Sequence, residues 1–150
     1  PLNMPDGWHT YESAAGWSVP VPDDWSVSGD GSHVEFRETN GGGRLMLITM
    51  IDGPMQDAKA DATQQEQNRR GEYQEYSLVG VRDVDYFDSA AEWEFAYGPA
   101  GNYRNHVLIR TFVTTPDRGY QIYWGTPDNV WDDNRQHLDL IMALFKPDKD

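Results

Sequence analysis

Two charges lie inside apolar runs. Glu94 stands within 89–97 and Arg110 within 104–115. If those runs are neighbouring strands, the two residues form a cross-strand ion pair; the other reading is a polar anchor in a binding groove. Hydrolysis would need a nucleophile with a base and an orienting acid, or two carboxylates facing across a cleft. No serine sits in a Gly-x-Ser-x-Gly elbow, and no glycine pattern matches a phosphate loop. His9, His33, His106 and His137 lack the i, i+2 or i, i+4 spacing that sets two imidazoles on one metal, so they read as surface or rim histidines. Asp83, Asp85 and Asp88 crowd into one short stretch but lack the third ligand, the glycine and the distal Glu of a calcium loop. A solvated turn accounts for them. Asp128, Asp132 and Asp133 read as dipole-complementing acids in the first turns of a closing helix.

Aromatic content is the stronger signal. Six tryptophans and eight tyrosines exceed what a core of this size requires, and large aromatics left at a surface mark contact sites for a polymer, peptide or protein. Trp17, Trp25 and Trp93 are assigned to the core. Trp8, Tyr103, Tyr123 and Trp131, together with Arg110, are the candidate contacts for a ligand or partner. The residues assign no catalytic group, no metal and no cofactor.

The elements that must position these side chains centre on 89–124. Ala91, Trp93, Phe95 and Tyr97 alternate with Ala90, Glu92, Glu94 and Ala96, a period of two that marks a strand. Gly98 to Asn102 then reverse the chain. In 104–115, Val107, Ile109, Thr111 and Val113 share one face and His106, Leu108, Arg110 and Phe112 the other, so both faces are expected to be covered. Pro116 to Gly119 make the next reversal, and Tyr120, Ile122 and Trp124 begin a third strand. An antiparallel meander results.

Upstream, short strands are expected at 8–12, 16–22 and from Val34, with a turn over 28–32 and a central strand over 44–51. Pro54 suits the first turn of a helix that runs from Met55 to Arg70, stopped by Gly71, with a thin stripe of Met55, Ala58, Ala62 and Gln65. A strand follows between Tyr73 and Val84. Thr126 and Pro127 read as N-cap and first residue of a second helix, whose stripe is Trp131, Leu138, Ile141, Met142 and Phe145. The expected organisation is a linker end at 1–7, one α+β domain over 8–147 and a tail at 148–150.

A chain of 150 residues buries enough surface for a full core without staples, and the absence of cysteine removes disulfides, thiolate metal sites and a cysteine nucleophile. Lys and Arg number 12 against 25 Asp and Glu, a formal charge of −13 that makes nucleic acid and anionic membrane surfaces poor partners. No apolar run spans a bilayer and no signal-peptide pattern is present. With Pro1 in place of Met, these features point to an excised segment whose targeting or membrane elements lie upstream.

The motifs Gly16-Trp17-Ser18-Val19-Pro20-Val21-Pro22-x-x-Trp25, Tyr86-Phe87-Asp88-Ser89-Ala90-Ala91-Glu92-Trp93-Glu94-Phe95, Arg110-x-Phe112-Val113, Tyr120-x-x-Tyr123-Trp124-x-Thr126-Pro127 and Leu144-Phe145-x-Pro147 carry a resemblance. The chain resembles the extracytoplasmic C-terminal domains of actinobacterial transmembrane serine/threonine protein kinases. More distantly it is similar to the PsbP-like superfamily, which includes an oxygen-evolving-complex subunit, a Ran-binding import factor and mycobacterial lipoproteins. The resemblance implies an α/β/α sandwich around a twisted antiparallel sheet. It further implies a non-catalytic domain that docks to an extracellular ligand or protein, tethered by a membrane segment upstream of Pro1. The alternatives are a free secreted protein or lipoprotein acting as a docking partner, and a small hydrolase with its site beside the meander.

Overall fold

A computed structural model describes residues 3–53, 57–100 and 104–148. The first hairpin pairs β1 (Trp8–Glu12) with β2 (Ser18–Pro22) as a separate two-stranded sheet. Pro20 and Pro22 cannot serve as ladder donors, which suits a hairpin strand better than the interior of a large sheet. β2 is also clasped to the end of the chain, where Ser18 and Lys146 exchange backbone hydrogen bonds of 2.9 Å.

The main sheet has seven strands: β3 (Ser26–Asp30), β4 (His33–Arg37), β5 (Leu45–Asp52), β6 (Ser77–Val84), β7 (Ser89–Tyr97), β8 (Asn105–Thr115) and β9 (Arg118–Pro127). Their spatial order is β3-β4-β5-β9-β8-β7-β6, and every neighbouring pair is antiparallel. Two meanders, one from each half of the chain, therefore meet at β5 and β9. The expected meander of β7, β8 and β9 is present, and β5, the most apolar strand of the N-terminal half, is interior as expected.

One helix lies on each face. α1 (Ala58–Arg69) starts from Asp57, whose carboxylate accepts the Ala60 amide at 3.1 Å, with Asp61 in its first turn and Arg69 in its last. Ala58 and Ala62 pack on Ala91 of β7, so small side chains let the helix sit close to the sheet. α1 contacts β6, β7 and β8. Pro54 and Met55, the expected start of this helix, lie outside the described residues. At its far end the α-helix tightens into a 3-10 turn over Arg70–Glu72 that includes Gly71.

α2 (Arg135–Leu144) covers the other face with Leu138, Ile141 and Met142. Together with Phe145 they join Trp17, Val19, Val21, Trp25, Phe36, Ile48, Phe112, Tyr120 and Trp124 in the main core. The expected helix start is corrected. Thr126 and Pro127 belong to β9, opposite His106 and Asn105, and two 3-10 turns, Asp128–Val130 and Asp132–Asn134, precede α2. The Thr126 hydroxyl bonds the Pro127 carbonyl at 2.8 Å and caps nothing, and Asp128 turns to His106, away from the helix N-terminus. The turn expected over 28–32 also shrinks, because Ser26–Asp30 forms an edge strand. Its residues are all exposed, so it has no buried face to produce an alternating pattern. No helix among the described residues is long and apolar enough to cross a membrane.

Candidate functional site

On the α2 face, alternation along β7 places Glu92 and Glu94 side by side, almost wholly buried at 2% and 7% exposure. The register sets Arg110 opposite Glu92, and Leu108 opposite Glu94. The expected Glu94–Arg110 pair is thus corrected to Glu92–Arg110, with the guanidinium Nε donating to Glu92 Oε2 at 2.9 Å. Arg82 of β6 bridges both acids, donating to Glu92 Oε1 at 3.0 Å and Glu94 Oε1 at 2.6 Å. His106 lies between Glu94, at 2.6 Å, and Asp128, at 3.0 Å, and its ring stacks on Trp131 with centroids 3.8 Å apart. The Arg110 guanidinium lies over the Tyr86 ring at 4.6 Å, and the Tyr86 hydroxyl donates to the Met142 carbonyl at 2.7 Å. Burial is the largest influence on Glu94 and pushes its pKa up, but the bonds from Arg82 and His106 together prevail, and the carboxyl sits below its usual value. Both carboxylates are occupied by cations, so the network ties β6, β7 and β8 to the turns that lead into α2.

The opposite face is only half covered. An α-helix is about 10–12 Å across and strands lie about 4.8 Å apart, so one helix spans two or three strands. α1, followed by Tyr73 and Tyr76 packed on Trp93 and Phe95, takes β6 to β8. The part built from β4, β5 and β9 has no helix over it among the described residues. Here two recesses flank Tyr123. One, of about 150 Å³, is lined by His33, Leu47, Thr49, Arg69, Ile109, Gln121 and Tyr123. The other, of about 140 Å³, is lined by Arg37, Gly43, Leu45, Tyr97, Asn105, Val107, Tyr123, Gly125 and Thr126. Gly125 lets the Tyr123 ring lie across it, since a Cβ there would come within 3.0 Å of the ring. Burial, with Tyr97 and Tyr73 nearby, pushes the Tyr123 phenol pKa well above its ordinary value. Neither recess is lined by Asp or Glu.

A third and larger cleft, about 620 Å³, opens between the first hairpin and the exit of α2, beside Glu12, Trp17 and Lys146.

The five candidate contacts do not converge. Arg110 and Trp131 belong to the network on the α2 face, and Trp131, expected at the surface, is buried at 7% exposure beneath His106. Trp8 is half-buried at the hairpin, 5.3 Å from the His137 ring. Tyr123 stands between the recesses on the opposite face. Tyr103 lies outside the described residues. Of the three clustered acids, Asp83 falls on β6, 3.9 Å from Lys59, and Asp85 and Asp88 are exposed in the turn beyond.

Sequence reasoning missed Arg82, Tyr86, Glu92 and His106 as members of one network. Its available signal was the placement of His106 and Arg110 on one face of β8, and of Glu92 and Glu94 on one face of β7.

The fold is PsbP-like. The solution structure of cyanobacterial PsbP, CyanoP, from Synechocystis sp. PCC 6803 matches 93% of this chain and 92% of its own, with a TM-score of 0.71 at 14% identity. LpqN of Mycobacterium tuberculosis, a protein involved in cell envelope biogenesis, matches 93% and 91% with a TM-score of 0.59 at 13% identity. The Ran-binding protein Mog1p of Saccharomyces cerevisiae matches 93% and 94% with a TM-score of 0.60 at 8% identity. No curated protein matches the sequence. The family model of the serine/threonine kinase C-terminal domain matches residues 9–147, nearly the whole chain, and this protein belongs to that family.

Proposed function

We propose that this chain is a non-catalytic binding domain on the outer side of a membrane, the ectodomain of a receptor-type serine/threonine kinase, which acts by engaging a ligand or protein. The observation that carries this reading is the contrast between the two faces of the sheet. On the α2 face the buried charges are consumed by one another; on the other face a polar, aromatic surface around Tyr123 stays open. Such a surface suits recognition, in which side chains fix a ligand's orientation on a preformed scaffold. Family membership supports the kinase assignment. The fold also serves binding in Mog1p, whose name records that it binds Ran, and the envelope role of LpqN accords with an extracytoplasmic setting.

The test is tryptophan fluorescence and melting temperature against cell-wall fragments, sugars, metal ions, nucleotides and candidate proteins, with Tyr123→Ala as control. Any species that binds only the folded state raises its apparent stability by mass action. A saturable rise in the native domain that Tyr123→Ala abolishes supports the reading. Turnover of any of these compounds, or equal shifts in both proteins, defeats it.

A further inference from the structure

We infer that the paired recesses flanking Tyr123 are adjacent subsites for a carboxylate-bearing saccharide, an inference that rests on the binding reading above. The floor of both recesses comes from β8, β5 and β9, interior strands whose backbone groups are spent in the ladders on either side. A peptide recognised by strand addition needs a free sheet edge, and this floor offers none. What it offers is side chains: the Thr49 hydroxyl, the His33 imidazole, the Gln121 amide, the phenols of Tyr97 and Tyr123, and a guanidinium in each recess. Thr49 and His33 are already bonded to each other at 2.8 Å, which fixes both. The Gln121 side chain has no protein partner among the described residues, so its donor and acceptor both remain for a ligand.

Hydroxyl-rich rings match this lining. Their edges need neutral donors and acceptors in alternation, and their apolar faces fit against a half-buried tyrosine. The near-equal volumes, about 150 and 140 Å³, with one aromatic side chain between them, suit two successive units of a chain.

Charge supplies the carboxylate. This protein carries 25 acidic residues against 12 Lys and Arg, yet neither recess is lined by an acid, and each is lined by one arginine. Arg37 uses its Nε on Glu35 at 3.1 Å, and Arg69 meets the Tyr73 hydroxyl at 3.4 Å and Glu72 at 4.0 Å. Guanidinium donors beyond those contacts remain in both cases, and paired donors suit a carboxylate. The acids elsewhere on the molecule repel an anion at long range, but at physiological ionic strength that field decays over about 8 Å, whereas a contact in the recess is hardly screened.

Titration calorimetry of the whole domain with a galacturonate tetrasaccharide, its neutral methyl ester and hexaglutamate tests this. The expected result is saturable binding of the uronate, weakened about tenfold by esterification and by Arg69→Gln or Arg37→Gln. Gln121→Ala should weaken both sugars, with the melting temperature of each variant confirming its fold. Equal affinity for the neutral ester, with no effect of the arginine substitutions, overturns the charged assignment while leaving a binding domain. Preference for hexaglutamate overturns the saccharide assignment. Absence of binding by either sugar overturns the site, whereas the broader binding reading stands or falls on the ligand and protein panel described above, where an unmoved melting temperature also defeats it.

Discussion

Glu92 and Arg110 face each other across the β7–β8 ladder with Nε and Oε2 2.9 Å apart, while Glu94, on the same face of β7, reaches sideways to Arg82 and to His106. The two acids therefore lean on different cations, with only Arg82 shared. This division sets an order of mutational damage.

Removing Glu92 leaves Arg110 without its carboxylate and Arg82 with Glu94 alone, at 2.6 Å, whereas removing Arg110 leaves Glu92 still held by Arg82 at 3.0 Å. Glu92→Ala should cost about 3–5 kcal/mol, the usual result of stripping one partner from a buried ion pair, and Arg110→Ala distinctly less. Urea unfolding of the two single variants and the double variant checks this. Equal single losses that simply add would show that the residues are not coupled.

The α1 contact should resist enlargement. Ala62 is fully buried against a sheet surface that includes Ala91, so Ala62→Leu has no space to enter and should destabilise by about 1–3 kcal/mol. Tyrosine and tryptophan near-ultraviolet circular dichroism should change around Trp93 and Tyr76, which lie on this face. A neutral or stabilising effect would mean that the helix packs more loosely than the structure shows.

Stability should fall on acidification in two stages. Burial, reinforced by the charge of Arg44, holds the His137 pKa below its ordinary value, so protons favour the unfolded chain from about pH 6.5 downward. Glu94 and Glu38 also sit below their ordinary value. For Glu38 the bond from Arg44 is the leading cause; for Glu94 the bonds from Arg82 and His106 prevail over burial. Depressed carboxylates contribute stability that is full above their unfolded value, about 4.3, and is lost as the pH falls through the folded one. Denaturation midpoints measured from pH 8 to 3 should decline through both windows, and His137→Gln should flatten the upper one alone.

Five tyrosines, Tyr73, Tyr76, Tyr86, Tyr120 and Tyr123, have phenols raised chiefly by burial, that of Tyr76 to about 12. The native state therefore holds them neutral, and stability is lost as pH climbs past about 10, where the unfolded chain ionises. Phenolate absorbance during alkaline titration should show a delayed step that coincides with loss of native circular dichroism. Ionisation of all eight tyrosines near pH 10 with the fold intact would contradict this.

The parts legible in the sequence were those in which burial imposes a period. Trp93 and Phe95, or Leu108 and Phe112, declare a face, and the meander followed from them. Alternation reveals a face but not a register, which is why Glu94 was matched to Arg110 when the ladder sets Glu92 there. The exposed strand at Ser26–Asp30 had no buried face to declare. His106 looked solitary because its partners, Glu94 and Asp128, come from other strands and turns. The recesses were least legible of all, since they exist only because α1 settles over one half of the sheet.

The meeting of β5 and β9 has a kinetic consequence. Each meander is built from local hairpins, but their junction pairs Asp52 with Arg118 and closes a long stretch of chain, an entropic cost that must be met before the contacts form. The junction is therefore expected to form late in folding. The network around Glu92 lies within the C-terminal half and does not wait for it. The recesses take Leu45, Leu47 and Thr49 from one side of the junction and Gln121, Tyr123 and Gly125 from the other. An occupant there would bridge the two halves at their last-formed seam, acting as a brake on unfolding.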